Sequence, residues 1–123
     1  MYNINYIEAK KLTLESYHEF IDEGFSPEQA IPATLEDFVI SMKKNNKILI
    51  AVIQNLSILS LKHNFIPDYL LNRLSDLKIS SDLNNDEILE YKKDEKELNT
   101  LLKNKYTLDE DESYSERVDN LLD

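Results

Sequence analysis

The stretch KILIAVIQNLSILSLKH, residues 47–63, limits the fold more than any other part of the chain. It is apolar around most of the circumference of a helix, so a helix formed here needs cover on nearly every side. Its longest unbroken apolar run, ILIAVI from Ile48 to Ile53, is far too short to cross a bilayer. A central helix wrapped by others is the remaining solution. Ser57 and Ser60 within it need only local backbone partners. At 123 residues the chain suits one domain with one modest core.

The flanking segments read as the wrapping. A first helix is expected over Asn5 to Glu23, with Tyr6, Ile7, Ala9, Leu14, Tyr17, Phe20 and Ile21 on one half of its wheel. Gly24, the single glycine of the chain, supplies a left-handed C′ position. Ser26, Pro27 and Gln29 then form a capping box with proline at the first helical position. Pro32 is expected to interrupt this short helix. Thr34 would cap the next, with Glu36 and Asp37 in its first turn. MKKNNK, residues 42–47, reads as a polar connector. Beyond the central helix, Asn64 ends the pattern and Pro67 opens PDYLLNRLSDLKI, with Tyr69, Leu70, Leu74 and Leu77 available to the core. ISSDLNND, residues 79–86, reads as a linker. The helix after it, about Asp86 to Lys103, carries a thin stripe of Ile88, Leu89, Leu98, Leu101 and Leu102. Its middle, EYKKDEKE, reads as solvated apart from Tyr91. A short last helix is expected around residues 115–122.

The expected class is all-α, a compact bundle of five to six helices around a central buried one, with HEAT-like stacking of helix pairs as one form it could take. Residues 1–80 would be the core. Residues 81–123 would be an acidic helix and tail, packing on that core or extending from it.

Little catalytic chemistry is legible. Phosphate-binding loops need several glycines for close backbone approach, and one glycine excludes both the dinucleotide and P-loop patterns. There is no cysteine, which excludes disulfides and thiolate metal sites and fits a reducing cytoplasm. His18 and Asp22 stand four apart on one face, a spacing more common for a simple surface contact than for a metal. The run from Asp82 has oxygens at positions 1, 3 and 5 of a calcium loop but lacks its glycine and places Lys93 where the bidentate glutamate belongs. The run from Asp109 fails at the same two positions. No nucleophile elbow is present. The expectation is a protein without catalytic activity, without a cofactor and without a metal. The N-terminus lacks a basic region followed by an apolar one, so a soluble, unexported, cytoplasmic chain is expected.

Charge carries the remaining signal. The net charge is −10. Residues 1–40 hold eight acids against two lysines, residues 41–80 two against six bases, and residues 81–123 fourteen against six. Such a chain is repelled by nucleic acid and anionic membranes and attracted to basic protein surfaces. Glu8, Glu15, Glu19 and Asp22 follow the spacing i, i+7, i+11, i+14 and lie along one ridge of the first helix, with Glu23 at its end. Amphipathic helices usually mix signs on their outer face to gain i,i+4 pairs, and here only Lys11 approaches the ridge. A plain solvated face would give the same pattern. The second candidate is Asp109, Glu110, Asp111 and Glu112, flanked by Tyr106 and Tyr114, where carboxylates steer and rings anchor. A solubilising tail is the alternative.

The order SYHEFIDEGFSPEQAI, LEDF, ILIAVIQNLSIL, IPDYLLNRLSDL resembles the small all-helical immunity proteins of bacterial polymorphic toxin systems. The likeness covers about residues 5–80. It rests on helix punctuation such as Glu23-Gly24, followed by a short helix and a buried apolar one. It implies a cytoplasmic protein that binds the C-terminal domain of a cognate toxin, plausibly a nuclease with a basic cleft, and blocks it. Three other readings share the sequence, one of them a small hydrolase, which would require a pocket with shifted pKa values. An acidic phage-type inhibitor or nucleic-acid mimic would repeat carboxylates at phosphate-like spacing over its whole surface. A helical adaptor would show an exposed apolar groove.

Overall fold

Residues 4–77 and 83–108 are described in the computed structural model, and among them lie six α-helices and no strand. The central helix, α4, spans Asn46–Lys62. Every residue from Ala51 to Ile58 is buried, as are Ile48, Ile50, Ser60 and Leu61. Each buried Ile or Leu contributes about 1.5–3 kcal/mol relative to the same side chain left in water. The polar residues inside it are satisfied locally. Asn55 donates to the Ala51 carbonyl, Ser57 to Ile53 and Ser60 to Leu56, the back-bonding that small polar residues make to the preceding turn.

Five helices surround α4 and all touch it: α1 (Tyr6–Asp22), α2 (Pro27–Asp37), α3 (Val39–Lys44), α5 (Asp68–Ser75) and α6 (Asn85–Leu108). Together they form a compact all-α fold, with side chains of α6 described as far as Lys105. Among the described residues no helix is long and apolar enough to cross a membrane.

The ends of α1 and α4 share one device. In α1, Gly24 adopts φ +100°, its N–H donates to the Ile21 carbonyl and the Phe25 N–H donates to Phe20. The Phe20 and Phe25 rings then meet at 5.1 Å between centroids. This is a Schellman motif with its apolar contact. At the end of α4, Asn64 takes the left-handed position at φ 65°, Asn64 N–H reaches Leu61 and Phe65 N–H reaches Ser60. Asn5 caps α1 and Asn45 caps α4 by accepting from backbone N–H groups of Glu8 and Lys47. The capping box of α2 forms as expected between Ser26 and Gln29.

Several boundaries differ from the sequence expectation, each for a packing reason. Pro32 does not interrupt α2. Its ring is exposed and its fixed φ suits a helix, and the helix continues because Ala30, Ile31 and Thr34 are buried along one side. Thr34 is therefore an interior helical residue and not a cap. Glu36 and Asp37 end a helix, and Asp37 accepts a bond from Ser16. The 42–47 connector shrinks to Asn45, because Met42 is a core residue at the end of α3. Leu71 is buried in α5 where Tyr69 was expected, and Tyr69 is exposed. Ile7 and Leu89 are also exposed, Leu89 at 69%. The segment 78–82 and the expected helix at 115–122 lie outside the described residues.

Pro32→Ala restores a donor for the Glu28 carbonyl without altering the buried side of α2. It is expected to stabilise the fold by about 1 kcal/mol, the lower part of the proline penalty in a helix interior. A higher urea midpoint at unchanged slope would register it. A lower midpoint would mean that the rigidity proline gives the unfolded chain outweighs the missing bond.

Candidate functional site

Acidic residues occupy two unlike environments, one on each side of α1. The outer side carries the ridge. Glu8, Glu15, Glu19 and Asp22 are all exposed, and so is Glu23 at the helix end. The buried residues of α1, namely Tyr6, Ala9, Thr13 and Tyr17, point the other way, toward the core. Four carboxylates thus spread over fourteen residue steps, about 21 Å at 1.5 Å per step. Among the described residues the only ion pair on this ridge is Lys11 with Glu15, at 4.0 Å between two exposed side chains. A pair so exposed contributes little. The ridge therefore presents unmixed negative charge to solvent. Asp109, Glu110, Asp111 and Glu112 lie outside the described residues, as do the side chains of Tyr106 and Tyr114.

The inner side holds a group that sequence reading placed in solvent. Glu87 and Asp94 of α6 are 1% and 2% exposed. The buried positions of this part of the chain are Leu83, Glu87, Tyr91, Asp94, Leu98 and Leu102, a helical spacing in which two carboxylates stand where apolar residues would be usual. The Oε2 atom of Glu87 accepts the Tyr6 backbone N–H at 2.8 Å, while Oε1 accepts from Lys47 Nζ at 3.2 Å and Asn84 N–H at 3.1 Å. Asp94 accepts from the Tyr6 hydroxyl at 2.7 Å and from Lys10 Nζ at 2.8 Å. Lys10 also reaches Glu90 at 2.6 Å. The Tyr6 and Tyr91 rings close the group edge to face, with centroids 5.9 Å apart. α6 is thus clasped to α1 and α4 by charge-assisted hydrogen bonds.

The clasp shifts the ionisation of its members. Burial pushes the Glu87 carboxyl up, but the Tyr6 and Asn84 N–H groups and Lys47 outweigh it and hold it below the usual glutamate range. The hydrogen bond from Lys10 lowers Glu90 in the same sense, against its own burial. Burial lowers Lys10, and Asp94 and Glu90 more than reverse it. The Tyr6 phenol is pushed far above its ordinary value by burial and by Asp94, so it stays neutral and donates. Among the described residues two buried atoms find no partner, Gln54 Oε1 and Thr34 Oγ1. Gln54 uses its amide to donate to the Tyr91 carbonyl, which ties α4 to α6 beside the clasp.

Elsewhere Tyr17 Oη and His63 Nε2 meet at 3.3 Å, joining α1 to the end of α4. Among the described residues no group of three or more His, Asp and Glu side chains is placed to hold a metal ion.

The surface has two consequences for chemistry. The clasp carboxylates are held by donors, enclosed and committed to structure. The ridge carboxylates are open to a cationic partner. Comparison of the chain with protein-family models, with curated proteins and with solved structures yields no match.

Removing the Tyr6 hydroxyl leaves Asp94 buried with one donor fewer. Tyr6→Phe is expected to cost about 1–3 kcal/mol in urea unfolding. Glu19→Gln, on the ridge, is expected to change stability by less than about 0.5 kcal/mol. Equal losses in both variants would contradict this division of the acidic residues.

Proposed function

We propose that this chain is an immunity protein that neutralises a cognate toxin domain by docking the acidic ridge of α1 over a basic active-site cleft. The observation that carries the reading is the ridge itself. Glu8, Glu15, Glu19, Asp22 and the C-cap Glu23 are exposed along one helix, and among the described residues their single pairing is the weak one of Glu15 with Lys11. Lys10 and Lys47 face the inner side of α1, where they meet Asp94, Glu90 and Glu87. Unpartnered like charge repels itself, and a cationic protein surface relieves that repulsion. The mode is stoichiometric occlusion. Carboxylates take the place of phosphates against the cationic groups of the toxin, so association is fast and weakens as salt rises. In this reading the Asp109–Glu112 run supplies the toxin with a second set of carboxylates. The protein acts in the cytoplasm of a bacterium, beside the toxin it restrains, and performs no reaction of its own.

The test begins with the C-terminal domain of a toxin encoded next to this chain. Co-expression with the wild-type protein is expected to restore growth, and the two purified proteins to form a one-to-one complex. Reversing Glu15, Glu19 and Asp22 to Lys is expected to slow association at least tenfold at low salt and to flatten its salt dependence. Unchanged association of the triple variant would reduce the ridge to ordinary solvated surface. Failure of the wild-type protein to bind or rescue would remove the immunity reading as a whole.

A further inference from the structure

We propose that the first half of α6, residues 85–94, is an acid-released clasp that opens from α1 and α4 while the central helix stays folded. The geometry is the ground for this. Every group bonded to Glu87 is a donor: the Tyr6 N–H from α1, Lys47 Nζ from α4 and the Asn84 N–H preceding α6. Asp94 is bonded by the Tyr6 hydroxyl and by Lys10 Nζ, both from α1. Asn55 of α4 interacts with the same Tyr6 hydroxyl. Glu90 faces Lys10 across the interface and Lys93 on its own helix. Tyr91 lies between, its hydroxyl turned to Glu95. A proton added to Glu87 meets donors alone, so accommodating it breaks at least one bond and leaves Lys47 without its anion.

The second half of α6 is held differently. Leu98 and Leu102 pack with Ile58, Leu61 and Leu71 in an apolar cluster that no proton disturbs. Tyr91 and Ile88 add apolar contacts to the first half, but there buried carboxylates share in holding it closed, whereas apolar burial keeps 98–105 in place. Opening turns a neutralised interface into a cationic one, because Lys10 and Lys47 lose their anions and the Gln54–Asn55 part of α4 meets water.

The sign follows from the depressed carboxyls. Glu87 and Glu90 titrate lower in the folded protein than in the unfolded chain, so their contribution is complete above about pH 4.5, the unfolded value, and disappears below it.

Amide hydrogen exchange of the full chain, read by mass spectrometry and corrected for intrinsic rate, tests this between about pH 7 and pH 3.5. Below about pH 4.5, residues 85–94 are expected to exchange at least tenfold faster relative to their value at neutral pH, while residues 48–61 keep their protection. At neutral pH, Glu87→Gln combined with Asp94→Asn is expected to reproduce the opening, and Glu8→Gln combined with Glu19→Gln to leave it closed. Simultaneous loss of protection in both segments, or protection of residues 85–94 persisting to the acid limit, overturns the proposal. Should the paired clasp variant not fold, the acid series on the wild-type chain decides alone. None of these outcomes depends on a toxin, so they stand or fall separately from the immunity reading.

Discussion

An apolar helix cannot be left half covered, and α4 has almost no polar side to turn outward. Eight consecutive buried residues from Ala51 to Ile58 mean that surrounding helices must approach from every direction, and the rest of the architecture follows from supplying them. Four of the five surrounding helices need only ordinary amphipathic character for this, and short connections between them are fixed by caps and Schellman ends. The fifth, α6, sets Tyr91 and the half-buried Ile88 of its first half against the core, and its other inward positions there are not apolar. Glu87 and Asp94 take those positions, and Lys47 and Lys10 meet them. Enclosing a carboxylate is costly unless charge and hydrogen bonds are both returned to it. Each receives donors at two or more points, and so the substitution of charge for grease holds.

Negative charge thus serves two opposite ends in one chain. Inside, it is saturated by lysines and backbone N–H groups, and it acts as a fastener. Outside, along α1, its one ion pair among the described residues is the exposed contact of Lys11 with Glu15. A chain of net charge −10 pays for this in self-repulsion, which is easier to understand where a basic surface is the intended counterpart.

Much of the fold was legible because helix ends leave chemical marks. Gly24, the Ser26-Pro27-Gln29 box and the all-round apolarity of residues 47–63 each have a single economical reading, and each sits where that reading puts it. Pro32 misled because a proline on the solvent side of a helix is tolerated when the opposite side is anchored by Ile31 and Thr34. Leu89 misled because it stands beside Ile88, and of two adjacent helical positions the one that packs on the core here is Ile88. The clasp was invisible for a deeper reason: carboxylates are scored as solvent-facing one residue at a time. The register of Leu83, Tyr91, Leu98 and Leu102 runs through Glu87 and Asp94. Followed as a register, it marks both as inward-facing. What could not be read was their partners, since Lys10 and Lys47 lie 84 and 40 residues away from the acids they meet. The ridge, by contrast, was legible from spacing alone, because exposure is what a one-sided run of carboxylates implies.

The clasp and the ridge are connected through the rotation of α1. Apolar contacts resist separation but are lenient about rotation, since one buried side chain replaces another at similar cost. Hydrogen bonds are not lenient. Tyr6 is held at both its backbone N–H and its hydroxyl, by two residues of α6 seven positions apart. Turning α1 by one residue, about 100°, would break both bonds and strand Asp94 and Glu87 in the interior. The same turn would carry Glu8, Glu15, Glu19 and Asp22 off the outer face. A polar interface that adds little net stability can still select one orientation over its neighbours. Here that orientation is the one that aims the ridge outward, so the buried acids determine where the exposed ones point.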